Sequence, residues 1–187
     1  MRRIETLFLA GPDRWFPDAA AHLERRREHV RQAGFTPLDA DRSTLVETTH
    51  TEAMAREIYA STLEQLRAAD GLIVNLTPWR GPGGDPGAAF LAGFASALGK
   101  PVFAYMNVTA DDDADYRERV EGALGAAPDE DGVWRDAEGG EIEDFGLPEN
   151  LMLWAEARRF YVVVTPEPFE ELAGLDLCLQ SVALYSE

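Results

Sequence analysis

The chain has 187 residues, the length of one domain, with 45% apolar and 27% charged residues. That composition is globular and excludes collagenous, low-complexity and wholly disordered classes. Its 34 acids against 17 Lys and Arg give a formal charge of −17, which repels polyphosphate and anionic lipid and argues against nucleic-acid or membrane-surface partners. The single cysteine, Cys178, excludes an internal disulfide framework and a cysteine-rich metal site. No apolar run approaches the ~20 residues of a spanning helix. The basic-then-apolar start is shorter than a signal h-region, so the chain reads as cytoplasmic.

Residues 4–10 form an apolar run ended by Gly11-Pro12, a buried strand followed by a turn. Residues 18–33 are rich in Ala, Leu, Glu and Arg and stop at Gly34, which predicts a helix with a glycine C-cap. Residues 35–38 are a second extended piece. Residues 51–69 read as a helix, with Ala55, Ile58, Thr62, Leu66 and Ala69 on one face. Residues 71–76 are apolar on both faces, as a central parallel strand requires. A loop dense in Pro and Gly follows over 77–87, then a small-residue helix over 88–98 and a buried strand over 101–106. This alternation predicts a parallel sheet covered by helices on both faces, a three-layer α/β sandwich.

After Asn107 the composition turns acidic. Residues 108–143 read as an acidic excursion with a small hairpin around Gly132-Val133-Trp134. Apolar character resumes over 145–154, and residues 161–164 form a late strand. Thr165-Pro166 then reads as the N-cap and first position of a last helix, with Phe169, Leu172, Leu179 and Val182 facing inward. No repeat or linker divides the chain, so residues 1–187 are taken as one domain.

The loop over 77–87 sits where open parallel sheets bind ligands, beyond the carboxyl end of a central strand. It is neither GxGxxG nor GxxxxGK[ST], so it supports neither a dinucleotide nor a P-loop reading. Two acids frame it. Asp85 also reads as an N-cap, and Asp70 as a helix-to-strand turn residue. His22 and His29 fall on an Arg-rich helix and read as solvent-facing. With His50 they make no zinc spacing. Arg25-Arg26-Arg27 reads as a solvated face beside Glu24 and Glu28, and Cys178 as a core residue.

Four segments in order carry a resemblance. They are Phe8-Leu-Ala-Gly-Pro12; Ala69-Asp-Gly-Leu-Ile-Val-Asn-Leu-Thr-Pro-Trp-Arg-Gly81; Asp85-Pro-Gly-Ala-Ala-Phe-Leu-Ala-Gly-Phe-Ala-Ser-Ala-Leu-Gly-Lys-Pro-Val102; and Glu143-Asp-Phe-Gly-Leu-Pro-Glu-Asn-Leu-Met-Leu153. Together they resemble the nucleoside 2-deoxyribosyltransferase family over most of the chain. The resemblance implies a flavodoxin-like fold, assembly as a homodimer or larger homo-oligomer, and no metal or organic cofactor. It also implies cleavage of the N-glycosidic bond of deoxynucleosides or nucleotides, by transfer to another base or by hydrolysis.

By the same resemblance Asp70 matches the aspartate on the base side, Asp85 the motif aspartate and Gly87 the motif glycine. Gly11 belongs to the opening turn, and Asn150 matches an asparagine that reaches a neighbouring subunit's site. Arg80 is placed to contact a phosphate or base. Trp79 is placed either to stack on a base or to lie as a lid over the sheet edge.

The resemblance also places Leu91 where the family has its nucleophilic glutamate, Phe8 at the first-strand tyrosine, Ala88 at the motif threonine and Phe94 at a motif tyrosine. Leucine cannot form a glycosyl ester. Loss of carboxylate and hydroxyl together is how a site abandons a buried polar pair, because neither partner is left unsatisfied. Direct hydrolysis through Asp70 and Asp85 and binding without turnover are the two readings that follow. Glu57 and Glu64 are the other acids near Asp70.

Overall fold

The computed structural model describes residues 3–39 and 51–186; His50 lies outside the described residues. Five parallel strands make the sheet: β1 (Thr6–Ala10), β2 (Thr36–Leu38), β3 (Gly71–Asn75), β4 (Val102–Val108) and a late strand (Arg159–Val164). Their order is β2-β1-β3-β4-late strand. The register pairs Leu7 with Gly71, Leu72 with Val102 and Ala104 with Phe160. From β1 the chain moves to one neighbour and later returns to the other side. Crossovers therefore diverge at the carboxyl ends of β1 and β3 and leave a crevice between them.

Every residue of β3 and β4 is buried, because both faces of the sheet are covered. Strand alternation divides their side chains between two cores. Phe8, Leu72, Val74 and Ala104 meet α2 (Glu52–Ala68) and α3 (Pro86–Ala97) through Leu63, Leu66, Leu91 and Ala92. Leu7, Leu9, Ile73 and Phe103 meet α1 (Ala19–Gln32) and the last helix through Val30, Leu175, Cys178 and Val182. Each fully buried Leu, Ile or Phe contributes about 1.5–3 kcal/mol.

The acidic excursion is more ordered than its charge suggests. It holds α4 (Tyr116–Leu124), capped by the Asp115 side chain and ended at Gly125 with φ 71°. A short antiparallel hairpin follows, of β5 (Ala127–Pro128) and β6 (Trp134–Arg135). Val120, Ala126 and Ile142 form a satellite core packed against Tyr116 and Trp134. Next come α5 (Leu151–Glu156) and the late strand, β7.

The last helix, α6 (Ala173–Ser186), begins at Ala173 rather than at Pro166. Asn107 on β4 donates its amide protons to the carbonyls of Pro168 (2.9 Å) and Glu171 (3.0 Å), which an earlier helix would use internally. Glu171 Oε1 instead accepts from the amides of Leu172 and Ala173, at 2.8 and 2.9 Å. Leu172, Leu179 and Val182 are buried as expected. Phe169 lies outside the helix, with its ring 5.0 Å from Phe16 and 5.4 Å from Trp79. At Gly174 a Cβ would run into the Tyr105 ring, 2.8 Å from its Cγ, so only glycine lets α6 lie this close to β4.

Candidate functional site

A cavity of about 410 Å³ opens at the carboxyl edge of the sheet between the first turn, α2 and the start of α3. Gly11 lines its floor; Asp85, Gly87 and Leu91 line one wall. Asp85 caps α3, with its Oδ2 accepting from the Ala88 amide at 2.9 Å, and Pro86 takes the first helical position. Leu91 comes a turn later and turns inward, 6% exposed. Tyr59 and Phe90 form an aromatic side of the cavity, ring centroids 6.2 Å apart. Asp85 is the one carboxylate and Arg14 the one cation among the described lining residues. None of Arg14, Trp15, Tyr59 or Phe90 stood out in the sequence. The available signal was their large side chains beside the first turn, midway along α2 and near the start of α3.

The remaining expected site residues lie elsewhere. Phe8 is fully buried beneath the cavity, in the core that also holds Leu91. Trp79 packs against Phe16 and Phe169, with ring centroids 5.2 and 5.4 Å away. Arg80 stands over the Trp79 ring at 5.3 Å with φ 60°. Neither lines the cavity. Asn150 caps α5, its Oδ1 accepting from the Met152 amide at 3.0 Å, and its amide nitrogen donates to Glu143. Glu57 and Glu64 are exposed on α2.

Asp70 is at the opposite edge of the sheet, a correction to its pairing with Asp85. The whole length of β3 separates the two, ~16 Å at about 3.3 Å per residue. Asp70 Oδ2 accepts from the amides of Glu5 and Thr6, both at 3.0 Å, and from Thr6 Oγ1 at 2.9 Å, fixing the entry to β1. Asp70→Ala is therefore expected to cost about 1.5–3 kcal/mol of stability and to leave ligand affinity unchanged. Urea melts and titrations on one preparation check both. A selective loss of affinity would return Asp70 to the site.

Beneath Gly11 lies a buried charged cluster. His22 and Arg26 face inward, not to solvent, at 3% and 1% exposure, on the same side of α1 as Val30. Asp13 Oδ1 meets His22 Nε2 at 2.8 Å and accepts from Asn75 Nδ2 at 3.0 Å, while Oδ2 pairs with Arg26 at 2.7 Å. Burial alone would raise the Asp13 pKa, but Arg26, His22 and Asn75 outweigh it and hold the carboxyl below its ordinary range. Gly11 has φ 152°, and a Cβ there would come within 2.7 Å of Asn75 Cβ, so glycine is required over this cluster.

The cluster continues as a chain of bonds along the strand ends. Asn75 Oδ1 accepts from the Thr77 amide at 2.9 Å, and Thr77 Oγ1 accepts from the Asn107 amide at 3.0 Å. Asn107 then holds residues 168 and 171 as above. Past the loop, Arg119 donates to the carbonyls of Pro82 (2.6 Å), Asp113 (2.8 Å) and Pro148 (2.7 Å). Glu149 Oε2 accepts from the Gly84 amide at 3.0 Å and lies 3.5 Å from Arg119. Burial pushes the Glu149 pKa up despite those partners. Glu149 is thus an internal brace of the loop and does not line the cavity.

The nucleoside 2-deoxyribosyltransferase family model matches residues 7–152. A solved 2-desoxiribosyltransferase from Leishmania mexicana is 26% identical, covering 94% of this chain and 97% of its own, with a TM-score of 0.64. A conserved protein from Enterococcus faecalis V583 is 18% identical over 97% of this chain and 99% of its own, TM-score 0.56, a likeness of fold. No curated protein matches the sequence. Among the described residues no helix is long and apolar enough to cross a membrane. With its β2-β1-β3-β4-β7 sheet and this match over most of its length, the chain belongs to the nucleoside 2-deoxyribosyltransferase family.

Proposed function

We propose that the cavity at Asp85 and Leu91 takes a nucleoside or nucleoside monophosphate, and that the family's double-displacement chemistry is closed to it. The observation that carries this reading is Leu91 on the same wall as Asp85 and Gly87. A hydrocarbon there supplies no lone pair to attack an anomeric carbon. Tyr59 and Phe90 offer faces for a base, and Arg14 offers charge for an anionic 5′ group. With Asp70 at the far edge, two-carboxylate hydrolysis lacks its second acid among the described lining residues. Turnover, where present, is direct hydrolysis with Asp85 activating water. The reading needs no metal or organic cofactor.

The second reading is a nucleoside-binding protein without turnover, favoured by the burial of Phe8 beside Leu91 in one apolar core. Incubating the protein with deoxynucleosides or their monophosphates, with and without an acceptor base, separates these readings. Free base alone supports hydrolysis. No turnover with a ligand-raised Tm supports binding. Base exchange would refute the role given to Leu91.

We also propose a homodimer or larger homo-oligomer. Asn150 heads α5, where Met152 is 70% and Trp154 43% exposed, an apolar surface suited to a second copy. Sedimentation of the same sample tests this, and a monomer at all concentrations would overturn it.

A further inference from the structure

A second cavity, about 470 Å³, lies on the other side of the loop that follows β3. No described residue lines both cavities. Thr77 and Asn107 line it at the strand ends, Arg119 and Ala123 of α4 on one side and Phe169 on another. We infer that it is a separate binding site for a planar heteroaromatic ring that carries N–H donors and no phosphate, the chemistry of a free nucleobase. The choice of nucleobase rests on the proposed function; the class of ring rests on the lining alone.

Three features of the lining select that class. Asn107 is 1% exposed and spends both amide protons on the carbonyls of Pro168 and Glu171, which fixes the orientation of its amide. Its Oδ1 is then left buried without a protein partner. A buried acceptor in that state favours an N–H donor. Phe169 is 37% exposed, and its ring is held by Phe16 and Trp79, so it presents a fixed face for stacking.

The charge of the lining disfavours phosphate. Asp113 and Glu118 line the cavity, and Arg119 is the one cation there among the described residues. Arg119 is 7% exposed, and its Nε and both terminal nitrogens are engaged by the carbonyls of Pro82, Asp113 and Pro148. An anion would meet two carboxylates and a guanidinium whose three nitrogens each already donate to a backbone carbonyl. A neutral or protonated amino-heterocycle meets acceptors. The volume suits a ring compound of this kind, within the ~300–1,000 Å³ of small-molecule sites.

The test uses the full chain and isothermal titration with adenine, cytosine and deoxyadenosine monophosphate. Ala55 lines the first cavity from the exposed side of α2, so Ala55→Trp fills that cavity. In this background adenine or cytosine is expected to bind with one-to-one stoichiometry, and the nucleotide to show no binding. Adding Ala123→Trp, at an exposed position on α4 that fills the second cavity, or separately Phe169→Ala, is expected to weaken base binding at least about tenfold. Circular dichroism confirms that each variant is folded. Absence of base binding in the Ala55→Trp background, indifference to both added changes, or nucleotide binding there would overturn the inference. Failure of the proposed function shows separately, as no nucleoside or nucleotide binding to the unaltered protein.

Discussion

Asp13→Asn is expected to destabilise the protein by about 3–5 kcal/mol at neutral pH, the cost of leaving a buried charge without its counterion. Arg26 is 1% exposed and pairs with Asp13 at 2.7 Å, so the amide would leave a guanidinium in the core with no anion in contact. The effect has a direction in pH. Because the folded state holds the Asp13 carboxyl below its ordinary value of 3.8, the carboxylate adds stability above that value. That contribution disappears as pH falls through the lower folded value. The gap between native protein and variant should therefore be full at pH 7 and close only in strong acid, below about pH 4. Urea unfolding of both proteins across that range measures it. A gap that stays constant into acid, or a variant as stable as the native chain at pH 7, would contradict the pairing.

Leu91→Glu combined with Phe8→Tyr is expected to raise deoxynucleoside cleavage by at least about 10²-fold. That is well short of the roughly 10⁶ that a missing nucleophile can cost, because the remaining motif positions are not restored. Leu91 lines the cavity beside Asp85 and Phe8 lies in the same core beneath it, so the tyrosine hydroxyl and the glutamate would be introduced as neighbours. Burial and the nearby Asp85 charge should raise the new carboxyl's pKa. Only its ionised form attacks, so the gained rate should increase with pH through that raised value. Release of free base by chromatography and a sugar adduct on the denatured protein by mass spectrometry are the readouts. A folded double variant that binds ligand yet shows neither would sink the assignment of Leu91 to the nucleophile position.

The sheet was legible because β3 and β4 are buried on both faces and show it as unbroken apolar runs. Asp85 and Gly87 were legible through the resemblance to the family's motif, and both line the cavity at the carboxyl edge of the sheet. Asp70 misled for a physical reason: an acid just before a strand and one just after it belong to opposite edges of the sheet. His22 and Arg26 were hidden inside a charged run, where three consecutive arginines look alike. Their four-residue spacing to each other and to Val30 was the available sign of a common face. The ordered part of the acidic segment was masked by charge, although Asp115 before Tyr116 has the form of a helix cap. The start of α6 was set by Asn107, distant in sequence, which no local pattern contains.

The hydrogen-bond chain from Asp13 through Asn75 and Thr77 to Asn107 joins the turn after β1 to the ends of β3 and β4, at the rim where both cavities open. A ligand entering either hollow meets a floor already frozen in shape, so most of the ordering entropy of recognition is settled when the chain folds and little remains at docking. Selectivity can then drift through the helices and the glycine-rich arch above, while the bedrock stays unchanged.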